Sequence, residues 1–473
     1  MSQTAYTFQS LAQTREDLLS GKISASALAE HYLSKAKSED KYNAFLELFD
    51  ASALETAAAI DKRIAAGEPV GKLAGCIIGI KDNICYKGHK VGAASKILEG
   101  FESMFTATAV ERLLQEDAII IGRLNCDEFA MGSSNENSAY GPVKNPINPS
   151  LVPGGSSGGS ASAVASGLCM ASLGSDTGGS IRQPASFTGL VGLKPTYGRI
   201  SRYGLIAFAS SFDQIGPFTK TVADAELMYQ VMAGRDQMDS TSARRPVHEQ
   251  RTSKKTYRFA YYKEVIESEG MHPDTRKLFD EKVAGLKAEG HEVIEASFPY
   301  LDQLVPCYNV LAMAEASSNL GRYDGVHYGK RSEKAEDIPS TYFNSRSEGF
   351  GPEVKRRIML GTFVLSTGYY DAYYSKGQKV RRLIKDATDK LLTEVDFILS
   401  PTTPHPAFKI GEKADDPIAL YLEDIFTVQA NLTGHPAISV PMGTTADGLP
   451  LGIQLLGNAF DEETLFNGAS LLH

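Results

Sequence analysis

Apolar and polar positions alternate in two rhythms along this chain, and the switches between them lay out its elements. Near the N-terminus the spacing is helical. Ser24 caps a predicted helix through about Lys37, and Ala53 to Ala66 repeats alanine and isoleucine at helical intervals until Gly67 ends it. The unbroken apolar run Cys76-Ile77-Ile78-Gly79-Ile80 then reads as a buried strand with Lys81 at its end. A helix over Ala107–Gln115 precedes a strand at Ala118-Ile119-Ile120-Ile121, and the alanine-rich stretch Ala161–Met170 reads as a helix. Helices alternating with strands predict an α/β fold, with a large mixed, mostly parallel central sheet covered by helices on both faces.

Past Gly216 the character changes. Thr221–Gly234 is helical, Arg244–Lys255 is polar and loop-like, and Arg258–Tyr262, Asp274–Glu289 and His291–Ala296 repeat strand, helix, strand. From Leu301 to Lys385 no strand pattern is visible, which predicts a helical insertion in the C-terminal half over about 301–395. Strands return at Asp396–Ser400 and Ala437–Val440, and Asp461 caps a last helix. The organisation expected is an N-terminal helical segment over 1–70, a core over 71–220, and the rest of the same α/β domain over 221–473. A helical pattern still runs at His473, as though a short tail followed.

Composition narrows the function. With 473 residues, 42% of them apolar, the chain can bury a large core. A net charge of −9 and the lack of a lysine and arginine run argue against a nucleic-acid-binding surface. Cys76, Cys85, Cys126, Cys169 and Cys307 are scattered without a CxxC pair, which predicts free thiols in a reducing compartment and no metal site. Met1–Tyr6 lacks the charged-then-apolar pattern of a secretion signal, and no apolar run reaches the length of a membrane span. The expected location is the cytoplasm.

The candidate chemistry lies in three places: Lys81, the run Gly154-Gly155-Ser156-Ser157-Gly158-Gly159-Ser160, and Ser180 in Asp176-Thr177-Gly178-Gly179-Ser180. A serine hydroxyl attacks only when a base takes its proton, and a neutral lysine relayed through a second hydroxyl can be that base. Glycine-rich turns bring backbone N–H groups together as a hole for an oxyanion. The helix predicted after the Gly-Ser run would add its positive end. A flexible linker is the plain reading of a Gly-Ser run, but this one lies between a proline-rich stretch and an apolar segment inside a globular sequence. Gly154-Gly155-Ser156-Ser157-Gly158 also fits the G-x-S-x-G nucleophile elbow. That motif needs a strand before it, and three prolines in Asn145–Pro153 oppose one. It needs a histidine as well, and His405 and His435 each precede a proline.

These motifs, in this order and context, resemble the amidase signature family over nearly the whole chain, most closely from Leu73 to Gly216. The resemblance implies the amidase signature fold. It makes Ser180 the nucleophile, Ser156 a bridging serine after a cis peptide bond, and Lys81 the general base. It assigns the backbone N–H groups of Thr177, Gly178, Gly179 and Ser180 to the oxyanion, and leaves Asp176 to brace the loop or cap the next helix. Lys81 would need its pKa lowered by roughly three units, about 4 kcal/mol, which burial can supply. Asn83 is expected to position the lysine or to form a turn.

Within the family, Asn125–Ser134, Ala314–Leu320 and Val354–Gly361 are similar to the branch that works inside glutamyl-tRNA(Gln) amidotransferases. That likeness implies L-glutamine as amide donor, with Met131, Gly132, Tyr308, Arg357 and Asp424 binding it. Arginine can grip a carboxylate bidentately, and an aspartate can hold an ammonium. Arg356 competes with its neighbour for the first role. It further implies B-type and C-type partner subunits in a heterotrimer, and glutamyl-tRNA(Gln) bound mainly through the B-type subunit. No cofactor is expected in this chain; ATP and magnesium belong to the complete complex, and no Walker A loop occurs here. Gln429 and His435 depart from the apolar residues or proline expected, at the pocket rim or the path for ammonia. A stand-alone amidase for small carboxamides and a catalytically silent scaffold are the alternative readings.

Overall fold

The computed structural model describes residues 6–247, 253–413 and 417–473. Met1–Ala5 and part of the polar stretch Arg244–Lys255 lie outside the described residues. In chain order the strands are β1 (Phe45–Leu48), β2 (Ile77–Lys81), β3 (Ile119–Leu124), β4 (Ala171–Asp176), β5 (Val191–Lys194), β6 (Gln214–Thr219), β7 (Arg258–Tyr262), β8 (Glu292–Ala296), β9 (Phe397–Pro401), β10 (Ala437–Thr444) and β11 (Pro450–Gly457). They form one sheet in the order β1-β3-β2-β4-β6-β5-β10-β11-β9-β7-β8.

The isoleucine-rich runs explain one half of it. β2 and β3 are apolar without polar alternation and are buried along their whole length, which suits strands covered on both faces. They pair in parallel, and β4 joins β2 in parallel on its other side. The connections carry the helices Thr108–Gln115 and Gly158–Ala165, as parallel neighbours require a crossover. The second helix is shorter than Ala161–Met170 suggests and starts earlier, because Gly167 takes a left-handed conformation (φ 71°) just beyond its end. The start is set by Ser157, so the helix N-terminus does face the Gly-Ser run.

The sheet is mixed, as expected, but not mostly parallel. Among the described residues, six of the ten strand pairings are antiparallel: β1 on β3, β4 on β6, β5 on β6, β10 on β5, β10 on β11, and β11 on β9. The excess comes from strands the hydrophobic pattern does not single out, β5, β6 and β11, whose glycines and prolines blur the apolar run. The stretch over 1–70 also contributes β1 to an edge position beside β3.

Helices lie on both faces. Side chains alternate across a strand, so Gly452 and Gln454 of β11 share one face and Leu455 and Gly457 the other. Gly452 and Gln454 bond to Ser186 and Arg182 of the helix Arg182–Thr188, whereas Leu455 and Gly457 lie against the C-terminal helix Glu462–Leu472. That last helix is capped by Asp461, whose side chain accepts from the Thr464 N–H. Thr221 and Ser24 cap the helices Val222–Met232 and Ala25–Glu39 as their sequence positions suggest. Between β8 and β9 the described chain is helical, with Leu304–Asn319, Ile338–Gly349, Pro352–Leu365 and Lys376–Leu392 and no strand among the described residues.

Candidate active site

Lys81 ends β2, and its ammonium nitrogen is enclosed by three hydroxyls. It donates to Ser156 Oγ at 2.7 Å, to Ser157 Oγ at 2.9 Å and to Ser175 Oγ at 2.9 Å, and the side chain is fully buried. Among the described residues no carboxylate forms an ion pair with it. Burial with only neutral partners disfavours the charged form and pushes the amine down to about 8, while Cys126, Asp127, Asp176 and Asp213 nearby resist the fall. A useful fraction of neutral amine therefore exists near neutral pH. Asn83 donates to the same Ser175 hydroxyl at 2.9 Å, so it positions the lysine through Ser175.

The Gly-Ser run is held from two sides. The peptide bond between Gly155 and Ser156 is cis. The Asp127 N–H donates to the Ser156 carbonyl at 3.1 Å, and the Asp127 carboxylate accepts from the N–H groups of Asn135 and Asn137. A Cβ on Gly155 or on Gly132 would collide with that carboxylate, so both positions need glycine. From the other side, the Gly155 N–H donates to Gln183 Oε1 at 2.9 Å, and Gln183 donates to the Ser133 carbonyl at 2.7 Å. Gln183 lies in the first turn of the helix that follows Ser180, so this contact brings the Ser156 loop against the Ser180 turn. Nothing in this setting is an elbow: no strand leads into Ser156.

Ser180 is 8% exposed and ends a turn fixed by Asp176. That carboxylate accepts from the Gly179 N–H at 3.0 Å and the Ile181 N–H at 3.2 Å, and pairs with Arg182. Burial pushes its carboxyl up, but Arg182 and Asn431 outweigh burial and hold it at about 2. Asp176 is thus a brace, as its sequence position suggests. One expectation changes: the Gly179 N–H is committed to Asp176, which leaves those of Thr177, Gly178 and Ser180 as candidate donors to an oxyanion. The Gly178 carbonyl is fixed as well, by the Thr427 hydroxyl at 2.6 Å. Gly179 has φ 134°, and a Cβ there would collide with Thr427.

The expected substrate residues gather around the same turn. The Tyr308 hydroxyl packs on Gly178, where a Cβ would come within 2.5 Å of it. Of the two arginines, Arg356 is partly exposed and Arg357 is buried over the rings of Phe208 and Tyr421, at 5.6 and 5.2 Å. Arg357 Nε donates to Glu353 Oε1 at 2.7 Å. Asp424 accepts from the Ser133 hydroxyl at 2.9 Å and lies within electrostatic reach of Arg357 and Asp176. Its side chain is only partly covered, yet the protein around it pushes the carboxyl up to about 7. Among the described residues no ion pair joins Arg357 to Asp424. Met131 is fully buried, and Gly132 rests on Asp127.

The chain is similar to known proteins over nearly its whole length. The amidase family model matches residues 27–466. The chain belongs to the amidase family. It is 53% identical over 461 residues to the A-type subunit of glutamyl-tRNA(Gln) amidotransferase from Koribacter versatilis, covering 96% of each chain. The crystal structure of the A-type subunit of the same enzyme from Thermotoga maritima matches at 41% identity with a TM-score of 0.79, over 98% of this chain and 94% of that one. A peptide amidase from Stenotrophomonas maltophilia matches at 28% identity and a TM-score of 0.82, over 99% and 96%.

The remaining polar residues singled out in the sequence have partners of their own. Gln429 is buried and donates to Tyr262 Oη at 2.8 Å and Thr388 Oγ1 at 2.9 Å, while His435 Nε2 lies 3.0 Å from Asp389. Both residues therefore anchor the helix Lys376–Leu392. His405 sits beside Glu423, not beside a serine of the triad. Sequence reasoning missed Ser157, Ser175, Asp127, Gln183, Ser133 and Glu353. Ser157 stands in the run itself, Glu353 one helical turn before Arg357 and Asp127 a few residues before Asn135, whereas Ser175, Gln183 and Ser133 carry no local pattern, because their partners are distant in sequence.

Proposed function

We propose that the chain hydrolyses L-glutamine through a Ser180, Ser156, Lys81 triad and serves as the amidase subunit of a glutamyl-tRNA(Gln) amidotransferase. The observation that carries this reading is the couple of opposite charges, Arg357 and Asp424, that stand beside the Ser180 turn without pairing to each other. A zwitterionic amino acid needs one of each, and neither is neutralised by the other.

Arg357 holds the α-carboxylate through its free Nη groups, Asp424 and Ser133 hold the α-ammonium, and Tyr308 with Met131 and Gly132 lines the pocket. Ser180 Oγ then attacks the side-chain carboxamide carbon while its proton passes to Ser156, whose own proton passes to neutral Lys81. The carbonyl oxygen becomes an oxyanion under the N–H groups of Thr177, Gly178 and Ser180, donors commonly worth about 3 to 4 kcal/mol each. Collapse of this intermediate breaks the C–N bond. The leaving nitrogen takes a proton back from Lys81 through Ser156 and departs as ammonia. Water, deprotonated by the same relay, hydrolyses the glutamyl-Ser180 ester to glutamate and free serine.

The ammonia is used by a B-type subunit, which activates glutamate on mischarged glutamyl-tRNA(Gln) with ATP and magnesium, and a small C-type subunit holds the pair together. This chain needs no cofactor for its own step. No helix among the described residues is long and apolar enough to cross a membrane.

The test measures ammonia released from L-glutamine by the chain alone and with B-type and C-type subunits, glutamyl-tRNA(Gln) and ATP. Release that depends on the assembled system and vanishes in Ser180→Ala supports the reading. Brisk release from many simple amides by the isolated chain, indifferent to partners, would replace it with a stand-alone amidase.

A further inference from the structure

The two charged anchors sit on different parts of the chain, and one buried carboxylate ties those parts together. Arg357 lies in the helix Pro352–Leu365, one turn after Glu353. Asp424 lies two residues beyond the short helix Pro417–Leu422, which carries Tyr421. Glu353 Oε1 accepts from Arg357 Nε at 2.7 Å and also from the Tyr421 hydroxyl at 3.0 Å, and its other oxygen pairs with Arg356. The carboxylate is buried, and the Tyr421 ring lies against the Arg357 guanidinium whose Nε is thereby engaged.

From this geometry we infer that Glu353 is a positioning residue: it fixes the separation and orientation of Arg357 and Asp424, and so selects amides that carry both an α-carboxylate and an α-ammonium. The inference rests on the glutamine reading above. Three physical points support it. A guanidinium has five N–H donors, and taking up Nε leaves the Nη edge free to grip a carboxylate with two parallel bonds. Opposite charges within reach attract, so an Arg357 released from Glu353 would be drawn towards Asp424, and the two anchors would neutralise each other. The Tyr421 hydrogen bond holds the Asp424 segment at a set distance from the helix, which a side chain on either element alone could not do. Among the described residues Glu353 makes no direct hydrogen bond to Ser180, Ser156 or Lys81, so its first effect is on binding and not on bond cleavage.

The experiment uses the assembled enzyme and three readouts: kcat and KM for L-glutamine, the inhibition constant of the product L-glutamate, and the inactivation rate by phenylmethanesulfonyl fluoride. The sulfonyl fluoride needs an activated serine but neither anchor. For Glu353→Gln, which keeps size and shape, the expected result is a KM and a glutamate inhibition constant raised about tenfold. Turnover should stay within about twofold and the inactivation rate should be unchanged. Tyr421→Phe, which removes only the tie between the two segments, should move the same two constants in the same direction by a smaller factor. An unchanged KM in both variants, or inactivation that slows in step with glutamine turnover, would overturn the inference, the second by showing a general structural role. Arg357→Lys and Asp424→Asn separate the two levels. If they leave the glutamine constants unmoved, both the glutamine reading and this inference fail; if they raise KM while Glu353→Gln does not, this inference alone fails.

Discussion

Lys81 is the residue on which the chemistry turns, and its surroundings predict a pH profile. A base must be neutral to act, and burial brings its pKa to about 8, so kcat/KM should rise with pH below about 8 and level off above it. Asp424 adds a second rising limb. Its carboxyl is held up to about 7 and must ionise to hold an ammonium, so KM for L-glutamine should fall as pH climbs through 7. Steady-state kinetics from pH 6 to 9 check both, and Asp424→Asn should erase the lower limb while sparing the upper. Ser180→Ala should cost at least about a thousandfold in ammonia release, and Ser156→Ala nearly as much, because members of one relay are not additive. The residues of the proposed triad could be picked out in the sequence because each stands in a glycine-rich or strand-end context. The contacts that Ser157 and Ser175 make with the lysine could not, since only folding carries their hydroxyls to it.

Among the elements, the turn Asp176–Ser180 shows how fold and site are coupled. Arg182 reaches Asp176, Asn431, Gln454 and the Thr427 carbonyl, so it joins the turn to β11 and to the helix Val428–Thr433. Arg182→Ala should therefore destabilise the whole protein by about 3 to 5 kcal/mol in denaturant unfolding, because it strands a buried carboxylate. Gly178→Ala should act on the pocket and on stability together: its added Cβ meets the buried Tyr308 hydroxyl at 2.5 Å, so activity should fall at least tenfold and overpacking should cost about 1 to 3 kcal/mol in the same unfolding. Helices and the buried parallel strands β2 and β3 were readable from capping and apolar runs, as Ser24, Thr221 and Asp461 show for the helices, but the buried strand β4 was not. The antiparallel strands were less so. β5, β6 and β11 hold glycine or proline where backbones and helices approach closely, and those residues hide the strand rhythm.

For the molecule as a whole, the eleven-stranded sheet explains why the site could not be assembled from one motif. β2 and β4 bring Lys81 and Ser175 together, the crossover between them supplies Ser156, and the helical stretch between β8 and β9 supplies Tyr308 and Arg357. Asp424 arrives from just before β10. A peptide amidase shares this architecture at a TM-score of 0.82, so the sheet alone does not choose the substrate. On the function proposed above, the choice lies in the anchors, while the bond-breaking chemistry lies in the serines and the lysine. The measurement that tests the account most directly is peptide mapping by mass spectrometry after an acid quench of the enzyme turning over L-glutamine. A glutamyl ester on Ser180, absent from Ser180→Ala, is the result predicted. A glutamyl adduct on Ser156 or Ser157, or undiminished ammonia release from Ser180→Ala, would contradict it.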